Sequence, residues 1–324
     1  MDIREKLYQM FILGLDGNGY KEALTKGLGG IIFFTKDIQT PEQFKNLCTE
    51  ITSQSKITPF LSIDQEGGRV ERTENIHGGK KYLSAKFAFE KGEEFLRNQT
   101  DEIAKELKSY GINMNFAPCI DVNTNPNNPI IGERAFSNKP EEVILGQKIV
   151  STTYRNNGII PCVKHFPGHG DANADSHLTL PQINLTLKEM EQTHIKPFAD
   201  AVKDGIEMVM VAHLHCTCFE KEEIPTSLSK NAINYLRNSL NFNGVAISDD
   251  MIMKGVAKFG AKTACEMGIR AGLNMFIYRN SLPETIDIIE FLVQKAQGDR
   301  ELFANIETSF EKIIELKKKF GLLK

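Results

Sequence analysis

The chain has 324 residues and a formal net charge of -3, from 39 basic and 42 acidic side chains. With an isoelectric point near 6.2, it offers no electrostatic reason to expect nucleic acid or an anionic membrane as partner, and a small neutral ligand fits better. No stretch approaches the roughly 20 apolar residues of a membrane helix, and the length admits one large α/β barrel without forcing a division.

The N-terminus carries Asp2 and Glu5 and only a short apolar run, unlike an export signal. The six cysteines lack CxxC spacing, and most lie in apolar surroundings as reduced core thiols would. A cytoplasmic protein is expected, monomeric or weakly dimeric. Short apolar runs ending in polar residues then recur along the chain: Gln9 to Gly14, Gly30 to Thr35, Pro59 to Asp64, Ile112 to Pro118, Ile159 to His165, Glu207 to His213, Gly244 to Asp249 and Gly272 to Arg279. These are eight candidate strands, and the one before Lys164, in the stretch GIIPCV, is rich in β-branched residues as a buried parallel strand is.

Helical spacing fills the gaps. Between Thr100 and Tyr110, Ile103, Ala104, Leu107 and Tyr110 share one face and charged residues take the other. Thr40, Pro41 and Gln43 supply an N-cap hydroxyl, a first-turn proline and a side chain placed to reach back. Leu302 to Phe320 reads as a packed terminal helix, with Phe303, Ile306, Phe310, Ile313 and Ile314 inward and Lys317, Lys318 and Lys319 suiting its dipole. Strands alternating with helices predict a parallel (β/α)₈ barrel over residues 1–324, as one catalytic domain with a C-terminal packing helix; a doubly wound open sheet is the alternative.

Chemistry concentrates at the carboxyl ends of the strands, where α/β folds collect catalytic groups. The longest such stretch, Lys164 to Pro181, reads KHFPGHGDANADSHLTLP and holds three of the seven histidines. In a barrel, Asp64, Lys164, His165, His213 and Asp249 converge on one rim. An aspartate at a strand tip is often a helix cap, but Asp249, aimed into a rim that also holds Lys164, His165 and His177, is suited to attack an electrophilic carbon. Asp250 is the better candidate for a cap or a supporting hydrogen bond. Asp175, two residues before His177, can hold that imidazole in one tautomer for proton transfer; taken alone, the pair reads equally well as a local surface hydrogen bond. His169, between Gly168 and Gly170, is expected to shape the loop. Gly67 and Gly68 are expected to let the backbone turn beside Asp64, and the asparagines from Asn123 to Asn128 to orient Arg134.

Four stretches, IDQEGGRVER, FAPCIDVNTNPNNPIIGERAF, KHFPGHGDANADSHLTLP and ISDDMIM, together resemble glycoside hydrolase family 3, within it the single-domain β-N-acetylglucosaminidases that act in bacterial peptidoglycan recycling. The resemblance runs from about Leu7 to Tyr278. It implies a barrel and a retaining two-step hydrolysis through a covalent glycosyl-enzyme, with Asp249 as nucleophile, His177 as acid/base and Asp175 as its partner. It also implies that Asp64, Arg72, Arg134, Lys164 and His165 hold a terminal N-acetylglucosamine, with no cofactor or metal. A His acid/base departs from the usual pair of carboxyl groups. Two positions depart from the family pattern. Met251 stands where Leu is commoner, a volume-conserving change, and Thr73 to Leu83 lacks the expected prolines, which bears on the rim beyond Arg72. Three other functions fit the residues: a phosphorylase on the same fold, a metal-dependent hydrolase using His213, His215 and Asp249, and a sugar-binding protein without catalysis.

Overall fold

Each apolar run of the sequence becomes a strand, and in the computed structural model, which describes residues 1–172 and 180–323, the strands close into a barrel. They are β1 (Phe11–Asp16), β2 (Gly30–Phe33), β3 (Phe60–Ile63), β4 (Met114–Asn115), β5 (Ile160–Phe166), β6 (Met208–Val211), β7 (Val245–Asp250) and β8 (Met275–Asn280). Each pairs in parallel with the next, and β8 returns to β1 through Phe11 opposite Phe276 and Ile12 opposite Ile277. That last pairing removes the free edges of an open sheet. The fold is the (β/α)₈ barrel that the alternation predicts.

The run Ile112 to Pro118 contributes only a two-residue ladder, Met114–Asn115. Pro118 has no N–H to donate, and the chain instead rejoins β5 beyond it, where the Ile120 amide donates to the Lys164 carbonyl at 2.8 Å. The helix Pro41–Gln54 begins as expected, with the Thr40 hydroxyl accepting from the Gln43 amide at 3.2 Å. The Gln43 side chain, however, reaches past the cap to the Gln39 amide at 3.0 Å. In the helix Glu93–Ser109 the residues Ile103, Ala104 and Leu107 are buried as predicted. Among the described residues no helix is long and apolar enough to cross a membrane, and all six cysteines are free thiols.

The terminal helix, Arg300–Lys319, departs from its expected pattern. Phe303 is exposed, whereas Lys317 is fully buried with Ile306 and Ile313. Its ammonium lies beneath the barrel, 2.8 Å from Gln9 Oε1, 3.0 Å from the Gly29 carbonyl and 4.8 Å from the centre of the Phe60 ring. Gln9 in turn donates to the Gly27 carbonyl at 2.6 Å. The helix is thereby tied to the amino-terminal ends of β1, β2 and β3, at the face opposite the polar rim.

Burial pushes Lys317 well below the ordinary lysine range. The native chain therefore binds fewer protons than the unfolded chain between those two values, so its stability rises with pH across that window. Lys317→Met removes this slope. Urea unfolding at several pH values should show the wild type gaining stability relative to the variant as pH rises toward the ordinary lysine range; a pH-independent difference would contradict the assignment.

Candidate active site

The carboxyl ends of the strands surround a cavity of about 480 Å³. Asp64 follows β3, Arg72 stands on the loop beyond it, and Arg134 ends a single 3₁₀ turn, Gly132–Arg134, on the loop after β4. Lys164 and His165 belong to β5 and Asp249 to β7. All six line the cavity, so residues up to 185 positions apart in sequence meet as the barrel requires. His177 and Asp175 lie outside the described residues.

The cations of the site are held by carboxylates. Lys164, almost wholly buried, places its ammonium 2.6 Å from both Asp64 Oδ1 and Glu66 Oε1. Glu66 also accepts two hydrogen bonds from Arg134, at 2.9 and 2.8 Å, in a bidentate pair. Burial would raise the Glu66 carboxyl, but Arg134 and Lys164 outweigh it and hold it far below the usual carboxylate range. Burial likewise opposes the charges of Lys164 and Arg134, and their carboxylate neighbours raise both above their ordinary values. Neither Glu66 nor the next carboxylate, Asp121, stands out in the sequence. The signal was available in chemistry alone, since buried cations require buried anions.

Asp121 is fully buried behind His165. Its carboxylate accepts from the His165 ring at 2.6 Å and from the backbone amides of His165 and His169 at 3.2 and 2.6 Å. The other ring nitrogen of His165 stands 3.3 Å from an Arg134 nitrogen. Arg134 can only donate, so in the neutral ring the proton of His165 sits on Nδ1, toward Asp121. The asparagine loop supports this arrangement: Asn128 accepts from the amides of Ile130 and Ile131 at 2.8 and 2.9 Å, and the Ile130 carbonyl accepts from Arg134 at 3.3 Å. Gly67 and Gly68, with φ of +91° and +61°, provide the turn between Glu66 and Arg72. Arg72 makes no ion pair among the described residues, and its guanidinium lies 5.9 Å above the Phe34 ring.

The adjacent aspartates divide two tasks. Asp250 pairs with Arg279 and accepts from the Ile252 amide at 3.2 Å, the supporting role expected for it. Asp249 accepts only from the Asp250 amide at 2.7 Å and makes no ion pair among the described residues, leaving its second oxygen available to a ligand. Burial works against its charge, but the imidazoles of His165 and His213, the Asp250 amide and the Lys164 ammonium prevail and keep its carboxyl below the ordinary value. It is an ionised carboxylate on a cavity wall, without an ion pair among the described residues.

His213 and His215 do not share a metal position. His213 bonds Ser227 Oγ at 2.7 Å and the Asp250 carbonyl at 3.2 Å, bracing β6 against β7. His215 faces the Glu220 carbonyl at 3.1 Å, in a two-residue strand paired with Gln182–Ile183 outside the barrel. Among the described residues the cluster able to approach one metal is instead Cys119, Asp121 and His165, where the Asp and His already satisfy each other.

Known proteins share this fold and much of this sequence. The chain is 31% identical over 321 residues to Beta-hexosaminidase A of Pseudoalteromonas piscicida, covering 90% of this chain and 53% of that protein. It is 32% identical over 276 residues to a Beta-hexosaminidase of Methylococcus capsulatus, covering 82% and 79%. The solved structure of a glycoside hydrolase family 3 β-N-acetylglucosaminidase from Paenibacillus sp. str. FPU-7 superimposes with a TM-score of 0.91 at 29% identity, over 99% of this chain and 63% of that one. The chain thus spans about half of the first of these proteins and under two thirds of the third. Residues 2–316 match the Glycosyl hydrolase family 3 N terminal domain, and with that match running over nearly the whole sequence, the chain belongs to glycosyl hydrolase family 3.

Proposed function

We propose that the chain is an exo-acting, retaining β-N-acetylglucosaminidase that removes terminal N-acetylglucosamine from peptidoglycan-derived muropeptides in the cytoplasm, with residues 1–324 acting as one catalytic barrel. The observation that carries this reading is the carboxylate of Asp249, ionised, without an ion pair among the described residues, and facing a cavity lined by groups that bind hydroxyls. The relatives called hexosaminidases and the solved N-acetylglucosaminidase support the sugar class. Free thiols support a reducing compartment.

In the proposed reaction, Asp64, Lys164, His165, Arg134 and Arg72 hold the terminal sugar. A carboxylate oxygen of Asp249 attacks the anomeric carbon, the bond from that carbon to the aglycone oxygen breaks, and His177, partnered by Asp175, supplies the proton the leaving oxygen needs. His177 then takes a proton from water, whose oxygen attacks the same carbon and releases Asp249. Asp249 must be charged to attack. Its paired neighbours are preorganised to keep it so, and that is the catalytic use of the Lys164 and His165 positions.

Hydrolysis of a chromogenic N-acetyl-β-glucosaminide tests the reading. Asp249→Asn should lower kcat by about three orders of magnitude or more with unchanged thermal unfolding, and the released sugar should be free N-acetylglucosamine with or without phosphate in the buffer. A sugar 1-phosphate would identify a phosphorylase, and an Asp249→Asn variant of near-normal activity would refute the nucleophile. The pH profile supplies a second test. Because the Asp249 carboxyl lies below its ordinary value, kcat/KM should persist to lower pH than a free carboxylate would allow, and Lys164→Met should shift that acid limb upward by removing a neighbouring cation. An unmoved limb would separate Lys164 from the ionisation of Asp249.

A further inference from the structure

The imidazole of His169 lines the same cavity as Asp249, Lys164 and His165, yet neither of its ring nitrogens has a hydrogen-bond partner among the described residues. The side chain is only 2% exposed. Burying such a ring unpaired forfeits its hydration with nothing returned, so an apolar residue would serve the fold better unless a ligand completes the bonds. We propose that His169 is a substrate-contacting residue, its ring hydrogen-bonding a hydroxyl or the acetamido group of the bound sugar and helping to set which sugar is accepted. The proposal rests on the glycosidase reading above.

The alternative, that His169 merely shapes its loop, is already accounted for by the backbone. Its amide donates to Asp121 at 2.6 Å and its carbonyl accepts from Asn128 at 2.8 Å, neither involving the ring. The flanking glycines press the loop against its walls: a Cβ on Gly170 would stand 1.7 Å from the Val122 carbonyl oxygen, and one on Gly168, whose φ is +124°, would stand 2.7 Å from the His194 side chain. The ring is further fixed edge-on to His165, with centres 5.9 Å apart. It is therefore presented to the cavity in one place before any sugar arrives, which is what selective binding needs. Burial and the neighbouring His165 lower it to about 4. Near neutral pH it thus offers one donor and one acceptor nitrogen, a match for a hydroxyl, which is also both.

The test pairs two variants, His169→Phe and His169→Gln, with a series of glycosides lacking the 3-, 4- or 6-hydroxyl or the acetamido group. On the parent glycoside, His169→Phe should lose about tenfold or more in kcat/KM, and His169→Gln should recover part of it. On the one analogue that lacks the partner group, the wild type should fall by a similar factor and His169→Phe should cost nothing further. Losses that multiply independently at every position would overturn the proposal. If the variants fail to fold, or if the wild type does not hydrolyse the parent glycoside, a ¹⁵N-histidine spectrum of the wild type titrated with N-acetylglucosamine decides: shifted ring nitrogens of His169 are expected, and an unmoved ring at saturation would refute it. Absence of hydrolysis counts against the glycosidase reading, whereas hydrolysis without coupling at His169 counts only against this inference.

Discussion

The candidate site depends on one buried carboxylate. Glu66 accepts from Arg134 through both oxygens and contacts Lys164 with one of them, so a single side chain joins the loops after β3 and β4 to the end of β5. Without it, Lys164 and Arg134, which repel one another, would lose the carboxylate they share. Breaking a buried pair of this kind by removing one partner costs about 3–5 kcal/mol. The arrangement is thus more than a stabilising contact, because it fixes where Lys164 and Arg134 can point before any ligand binds.

The same logic separates the aspartates around the cavity. Asp121 is saturated by His165 and two backbone amides, and Asp250 by Arg279 and Ile252, so both are structural. Asp64 is shared with Lys164. Asp249 alone among these makes no ion pair among the described residues, while still sitting in the positive field that keeps it charged. The division of labour comes from partners, since the residue type is the same at each position.

Much of this was legible in the sequence. All eight strands stand out as short apolar runs, and the polar residues at or beyond their ends gather Asp64, Arg72, Arg134, Lys164, His165 and Asp249 in one cavity as the barrel reading requires. Local patterns do not carry the pairings. Glu66 meets Arg134 across 68 residues, and Asp121 meets His165 across 44, so both carboxylates look like ordinary loop charges in the sequence. Lys317 is hidden for a related reason: a lysine near a helix end reads as a solvated dipole partner, and only the barrel floor reveals its acceptors, Gln9 and Gly29. His169 reads as a loop-former because glycines flank it, and its backbone does hold the loop, through Asp121 and Asn128. The roles of His177 and Asp175 rest on the motif and the resemblance, as they lie outside the described residues.

The central claim is that Asp249 forms a covalent bond to the sugar. The most direct measurement is the intact mass of the protein after brief reaction with an activated 5-fluoro derivative of N-acetylglucosamine, followed by peptide mapping. The account predicts one added glycosyl group, carried by the peptide that contains Asp249. An unlabelled protein that still cleaves the parent N-acetylglucosaminide, or a label on any other residue, would contradict it.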